Sequence, residues 1–117
     1  MNVNVLGTEY KIIVKKYDED VFKEKQIDGY CNGFTKEIAV CDLTTKEDWK
    51  IESKETITEC QKQILRHEIV HAFLNESGLQ ANAHNNDNSW AYNEEMVDWI
   101  ALQGLKIYNA WKQAECI

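Results

Sequence analysis

Apolar and polar residues keep two different rhythms along this chain. Over residues 3–16, Val3, Val5, Tyr10, Ile12, Ile13 and Val14 stand among polar neighbours and are interrupted at Gly7. That pattern predicts one strand, or two short strands, of a sheet. The next stretch, YDEDVFKEKQIDG, is polar and irregular. It reads as a short helix or turn, with the acidic YDEDVF on the solvated surface. Asn32-Gly33 is a turn signal between apolar runs. EIAVCDL (37–43) is rich in β-formers and predicts another strand. The first half is therefore expected to form a small, mostly antiparallel sheet.

Past the middle the period changes. Ile57, Cys60, Ile64, Leu65, Ile69, Ala72, Phe73 and Leu74 recur at steps of three and four, which predicts an amphipathic helix from about Thr56 to Asn75. Thr56 with Glu59 offers a capping box, and Ser53 is a rival N-cap. Gly78 is placed to end the helix. Residues 80–89, QANAHNNDNS, form a polar loop. A second helix is expected from Ser89 or Trp90 to Ala114, with a buried stripe of Val97, Ile100, Ala101, Leu105, Tyr108 and Trp111. Trp90, Trp99 and Trp111 are expected in the core, with one of them lining a cleft as the alternative, and Gly104 permits close approach to another helix. A sheet followed by helices gives an α+β fold, with residues 1–117 as one domain.

Composition narrows the function classes. A hydrophobic fraction of 44% with four tryptophans marks a folded chain. Thirteen basic against twenty acidic residues give a net charge of −7. Such a surface repels phosphate backbones and anionic lipid, so neither nucleic acid nor membrane is the expected partner. No segment approaches the roughly 20 apolar residues of a membrane span, and no leader-like run follows Met1. The expected compartment is the cytoplasm. Cys31, Cys41, Cys60 and Cys116 lack C-x-x-C spacing and are expected as reduced thiols, with Cys31 and Cys41 placed to face each other across a hairpin.

Two of the three histidines occupy one turn, in RHEIVHAFLNESGL (66–79). His67 and His71 are four apart, so both imidazoles leave one helix face and reach one ion. Glu68 stands one step around, where its carboxylate contacts a water without being a ligand. This H-E-x-x-H arrangement supplies two zinc ligands and a general base. Zinc would lower the pKa of its water, and Glu68 would carry the proton to the leaving amine of a cleaved peptide bond. A catalytic zinc site needs a third protein ligand. Downstream, in WAYNEEMVDWIA (90–101), Glu94 and Asp98 share a face. Glu94 is the candidate ligand and Asp98 the carboxylate that accepts an N–H from a ligating histidine. Glu95 is the rival ligand, but Trp99 occupies the place four residues on where it would need an acid. His84 is read as a solvated loop residue, with a mobile oxyanion helper as the alternative. Tyr92 is read as a helix-start packing residue, with donation to the oxyanion as the alternative.

HEIVH followed by NEEMVD resembles the gluzincin metallopeptidases, in which H-E-x-x-H precedes a helix bearing N-E-x-x-x-D. The short chain, the sheet ahead of the motif helix and DGYCNGFTKEIAV resemble the minimal zincins of phages and mobile elements, close to the ImmA/IrrE-like family. The resemblance implies zinc held by His67, His71 and Glu94, with Glu68 as base and Asp98 in support. It implies a metalloendopeptidase acting on a protein or peptide substrate, with a repressor or other regulator as the target by analogy. It also implies an extended substrate lying along an edge strand, matched here to Glu37–Cys41. The alternative is a regulatory or binding module of the same fold that keeps zinc but has little or no proteolytic activity.

Overall fold

The computed structural model describes residues 1–81 and 89–117. Its strands are β1 (Asn2–Val5), β2 (Thr8–Lys16), β3 (Gly29–Asn32) and β4 (Glu37–Asp42). Its helices are α1 (Phe22–Lys25), α2 (Lys54–Glu76) and α3 (Glu94–Gln113), with short 3-10 turns at Leu43–Thr45, Glu47–Trp49 and Trp90–Tyr92. The architecture is α+β. No helix among the described residues is long and apolar enough to cross a membrane.

The break at Gly7 is a tight hairpin. Leu6 and Gly7 both have positive φ, 51° and 90°, the backbone that matches the twist of paired strands. Asn4 Oδ1 accepts a hydrogen bond from Gly7 N–H at 3.0 Å. The second hairpin turns at Asn32, whose Oδ1 accepts from Phe34 N–H and Thr35 N–H at 3.0 and 3.1 Å.

The sheet is mixed, which corrects the mostly antiparallel expectation. Strand order is β1-β2-β4-β3, with antiparallel pairs at both sides and a parallel β2–β4 pair between them. The chain leaves β2 through α1, runs β3 along the far side, and returns as β4 into the gap. β4 is therefore central rather than an edge. Ile38, Ala39, Val40 and Cys41 are all buried, as a strand covered on both faces requires. Glu37–Cys41 thus offers no open edge; β1 and β3 are the outer strands.

α2 starts at Ser53, the rival cap, whose side chain accepts from Thr56 N–H at 3.1 Å. It lies on the sheet face formed by Val5, Tyr10, Ile38 and Val40, with Ala72 buried there and Ile64, Leu65 and Ile69 packed alongside. Phe22, Ala39, Cys41, Leu43 and Ile57 make a second core cluster. Cys31 and Cys41 belong to different clusters and do not face each other; all four cysteines are free thiols. At the far end of α2, Gly78 takes φ 83°. There Glu76 accepts from Thr8 Oγ1 (2.9 Å), Tyr10 OH (2.7 Å) and Lys36 Nζ, mooring the helix end to both hairpins.

α3 is capped by Asn93, which accepts from Met96 N–H at 2.8 Å. Val97 and Ala101 are buried, and Arg66 Nε donates to the Ala101 carbonyl at 3.0 Å. Of the rest of the expected buried stripe, Ile100 is half-buried, while Leu105, Tyr108 and Trp111 are exposed, as are Trp90 and Trp99. Helical period identifies the apolar face of α3, but α2 covers only its first turns.

Candidate metal centre

α2 brings His67 and His71 to one face, and the tight approach of β3 decides what stands behind them. A Cβ on Gly29 would lie 2.8 Å from Ile64 Cγ2, 3.1 Å from the Ala39 carbonyl oxygen and 3.2 Å from Glu68 Cγ. Only a residue without a side chain lets β3 come this close to α2. Gly33, four residues further on, acts likewise: its missing Cβ leaves room for the Asn75 amide.

The side chains converge. His67 Nε2 and His71 Nε2 are 3.1 Å apart. Glu94 Oε2 lies 2.9 Å from His67 Nε2, and Glu94 Oε1 lies 3.2 Å from His71 Nε2. Ligand atoms about 2.05 Å from one tetrahedral zinc stand about 3.3 Å apart. The three donors therefore have the mutual spacing of a His-His-Glu set and suit zinc by chemistry as well. One atom each from His67, Glu68 and His71 also falls within 4.8 Å of the others. Glu94 is the better third donor, because its carboxylate reaches both imidazoles while Glu68 stays 3.9 Å from His67 Nε2. No hydrogen bond or ion pair joins Glu95 to either ring among the described residues. Asp98 Oδ1 lies 2.6 Å from His67 Nδ1. A carboxylate there can accept the Nδ1–H, the arrangement that would leave Nε2 to a cation.

Electrostatics separates the roles further. Glu68 is buried, and its carboxyl is pushed up to about 7, chiefly by loss of solvent. His67 pulls it down, while Glu94 and Asp98 add to the rise. His71 is shifted below its ordinary value, again mainly by burial, which favours the neutral imidazole that can ligate a cation. Glu94 and Asp98 are open to solvent at the mouth.

These residues line a cleft of about 520 Å³. Its walls include Gly29, Tyr30, Cys31 and Gly33 from the β3 region, Gln63, Ile64 and Asn75 from α2, and Tyr92 before α3. Cys41 N–H donates to the Asp28 carbonyl across the β3–β4 pair. Alternation then turns the main-chain groups of Gly29 and Cys31 to the open side. Sequence reading missed this wall; the signal was two glycines four apart in DGYCNG. Tyr92 lies on the cleft wall rather than only at a helix start, whereas His84 lies outside the described residues. The arrangement can hold a divalent cation, keep a high-pKa carboxyl beside it, and admit an extended ligand. No protein-family model, curated protein or solved structure matches the chain.

Proposed function

We propose that the chain is a small zinc-dependent metallopeptidase that cleaves an extended segment of a protein substrate. The observation that carries the reading is the convergence of two imidazole Nε2 atoms and the Glu94 carboxylate within 2.9–3.2 Å, beside a buried Glu68. His67, His71 and Glu94 hold the ion. When bound, zinc supplies a Lewis acid that acidifies water and polarises a carbonyl.

The chain's own groups do the rest. Glu68, with its carboxyl raised to about 7, is matched to taking a proton near neutrality and returning it to the leaving amine. Asp98 fixes the tautomer of His67 and keeps its ring aimed. The outer edge of β3 presents main-chain donors and acceptors to an extended peptide, replacing the role expected of Glu37–Cys41. Gln63, Asn75 and Gln80 add amide groups along the walls.

Zinc content and cleavage of an unfolded protein mixture, measured for wild type and Glu68→Gln, test the reading. Expected is one zinc per chain in both, with cleavage lost only in Glu68→Gln. A chain that takes up no zinc ends the metal assignment. Equal cleavage by both proteins removes Glu68 as base. Zinc without cleavage in either leaves the binding-module alternative.

A further inference from the structure

We propose that the C-terminal half of α3 is the contact surface of a homodimer in which two α3 helices cross antiparallel. Val97, Ala101, Gly104, Leu105, Tyr108 and Trp111 follow one another at helical spacing and share a face. Within one chain that face is only begun. Val97 and Ala101 are buried, while Leu105, Tyr108 and Trp111 are 69%, 48% and 51% exposed and Leu102 beside them is 46% exposed. The radius of gyration is 15.4 Å, against about 13 Å for a compact chain of this length.

Three observations point to a second copy as the occupant. The first is area. Aromatic side chains carry about 150–250 Å² each, so the exposed halves of Tyr108 and Trp111 offer roughly 200 Å² per copy, and Leu102 and Leu105 bring a pair to several hundred Å². That is the size of a weak, reversible interface. The second is charge. The chain carries −7 overall, yet from Trp99 to the C-terminus it holds Lys106, Lys112 and only Glu115. Two acidic chains repel least where they meet through this segment. The third is Gly104. A glycine in a helix interior is unfavourable, and a Cβ here would meet nothing within 4 Å, so the single chain gives it no steric reason. A twofold crossing centred midway between Gly104 and Tyr108 sets each Tyr108 over the other copy's Gly104, and lets the backbones approach.

None of Leu102, Leu105, Tyr108 and Trp111 lines the cleft. Analytical ultracentrifugation of the full chain, from low to high micromolar concentration, is expected to show a reversible monomer–dimer equilibrium. The double variant Leu105→Glu, Tyr108→Glu should be monomeric with unchanged circular dichroism. Gly104→Met, a good helix former, should weaken association at least tenfold while leaving the monomer folded. It decides the matter if the double variant misfolds. Phe34→Glu, on the β3–β4 turn, should dimerise like wild type. A chain that is monomeric throughout, or a dimer that Gly104→Met leaves intact, overturns the proposal.

Discussion

Gly29→Ala puts a single methyl group where β3, β4 and α2 meet, and its cost can be worked from the contacts. The new Cβ would lie 2.8 Å from Ile64 Cγ2 and 3.1 Å from the Ala39 carbonyl oxygen. The carbonyl is backbone of the central strand. Ile64 packs against both core clusters. Overpacking of this kind costs about 1–3 kcal/mol. Gly29 does not have positive φ, so alanine recovers about 0.4–1 kcal/mol by restricting the unfolded chain. The net loss is about 1–2 kcal/mol. With about 2.1 cal/mol/K of unfolding entropy per residue, 117 residues lose about 4 °C of Tm per kcal/mol, so the expected fall is about 4–8 °C. Gly33→Ala is the matched control. The three atoms nearest its Cβ all belong to the end of the Asn75 side chain, which can swing aside, and stability should change by less than about 0.5 kcal/mol. Thermal and urea denaturation of both variants measure the difference. A Gly29→Ala protein as stable as Gly33→Ala would refute the close approach of β3 to α2, and with it the placement of Glu68.

Other outcomes follow from the same geometry. Asp98→Ala removes the acceptor on His67 Nδ1 and should weaken zinc binding about 10–100-fold; Glu95→Ala should leave it unchanged, both read by competition with a chelator. Ser53→Ala and Asn93→Ala each delete an N-cap and should each destabilise by about 1 kcal/mol in urea titrations. Glu76 titrates at about 2 in the folded chain instead of its ordinary 4.5, held down first by the hydrogen bond from Lys36 and then by those from Tyr10 and Thr8. A depressed carboxyl contributes its stability above 4.5 and loses it as pH falls toward 2. Glu76→Gln should therefore be less stable at neutral pH and should show a flatter decline over that acid range.

How much of this was legible depends on which interactions are local. α2 could be read because its apolar steps and the i, i+4 histidines are encoded within a few turns. Glu94 and Asp98 could be matched to it because they too share one helix face. Strand order could not be read. EIAVCD suits a central strand and an edge strand alike, and only the return of β4 between β2 and β3 settles it. The start of α2 was ambiguous because Ser53 and Thr56 are both competent caps, and the former makes the bond. The tryptophans misled for a related reason. Period tells which way Trp111 points along α3, but nothing in the spacing says that α2 stops covering that face after Ala101.

The candidate donors are divided between two elements: the imidazoles on α2, the Glu94 carboxylate on α3. Those helices share little buried apolar surface, with Val97 and Ala101 the only deeply buried residues of α3. A cation between them would act as a rivet. Its gain or loss would then register as a change in amide-proton exchange across residues 94–113, while the four strands keep their protection.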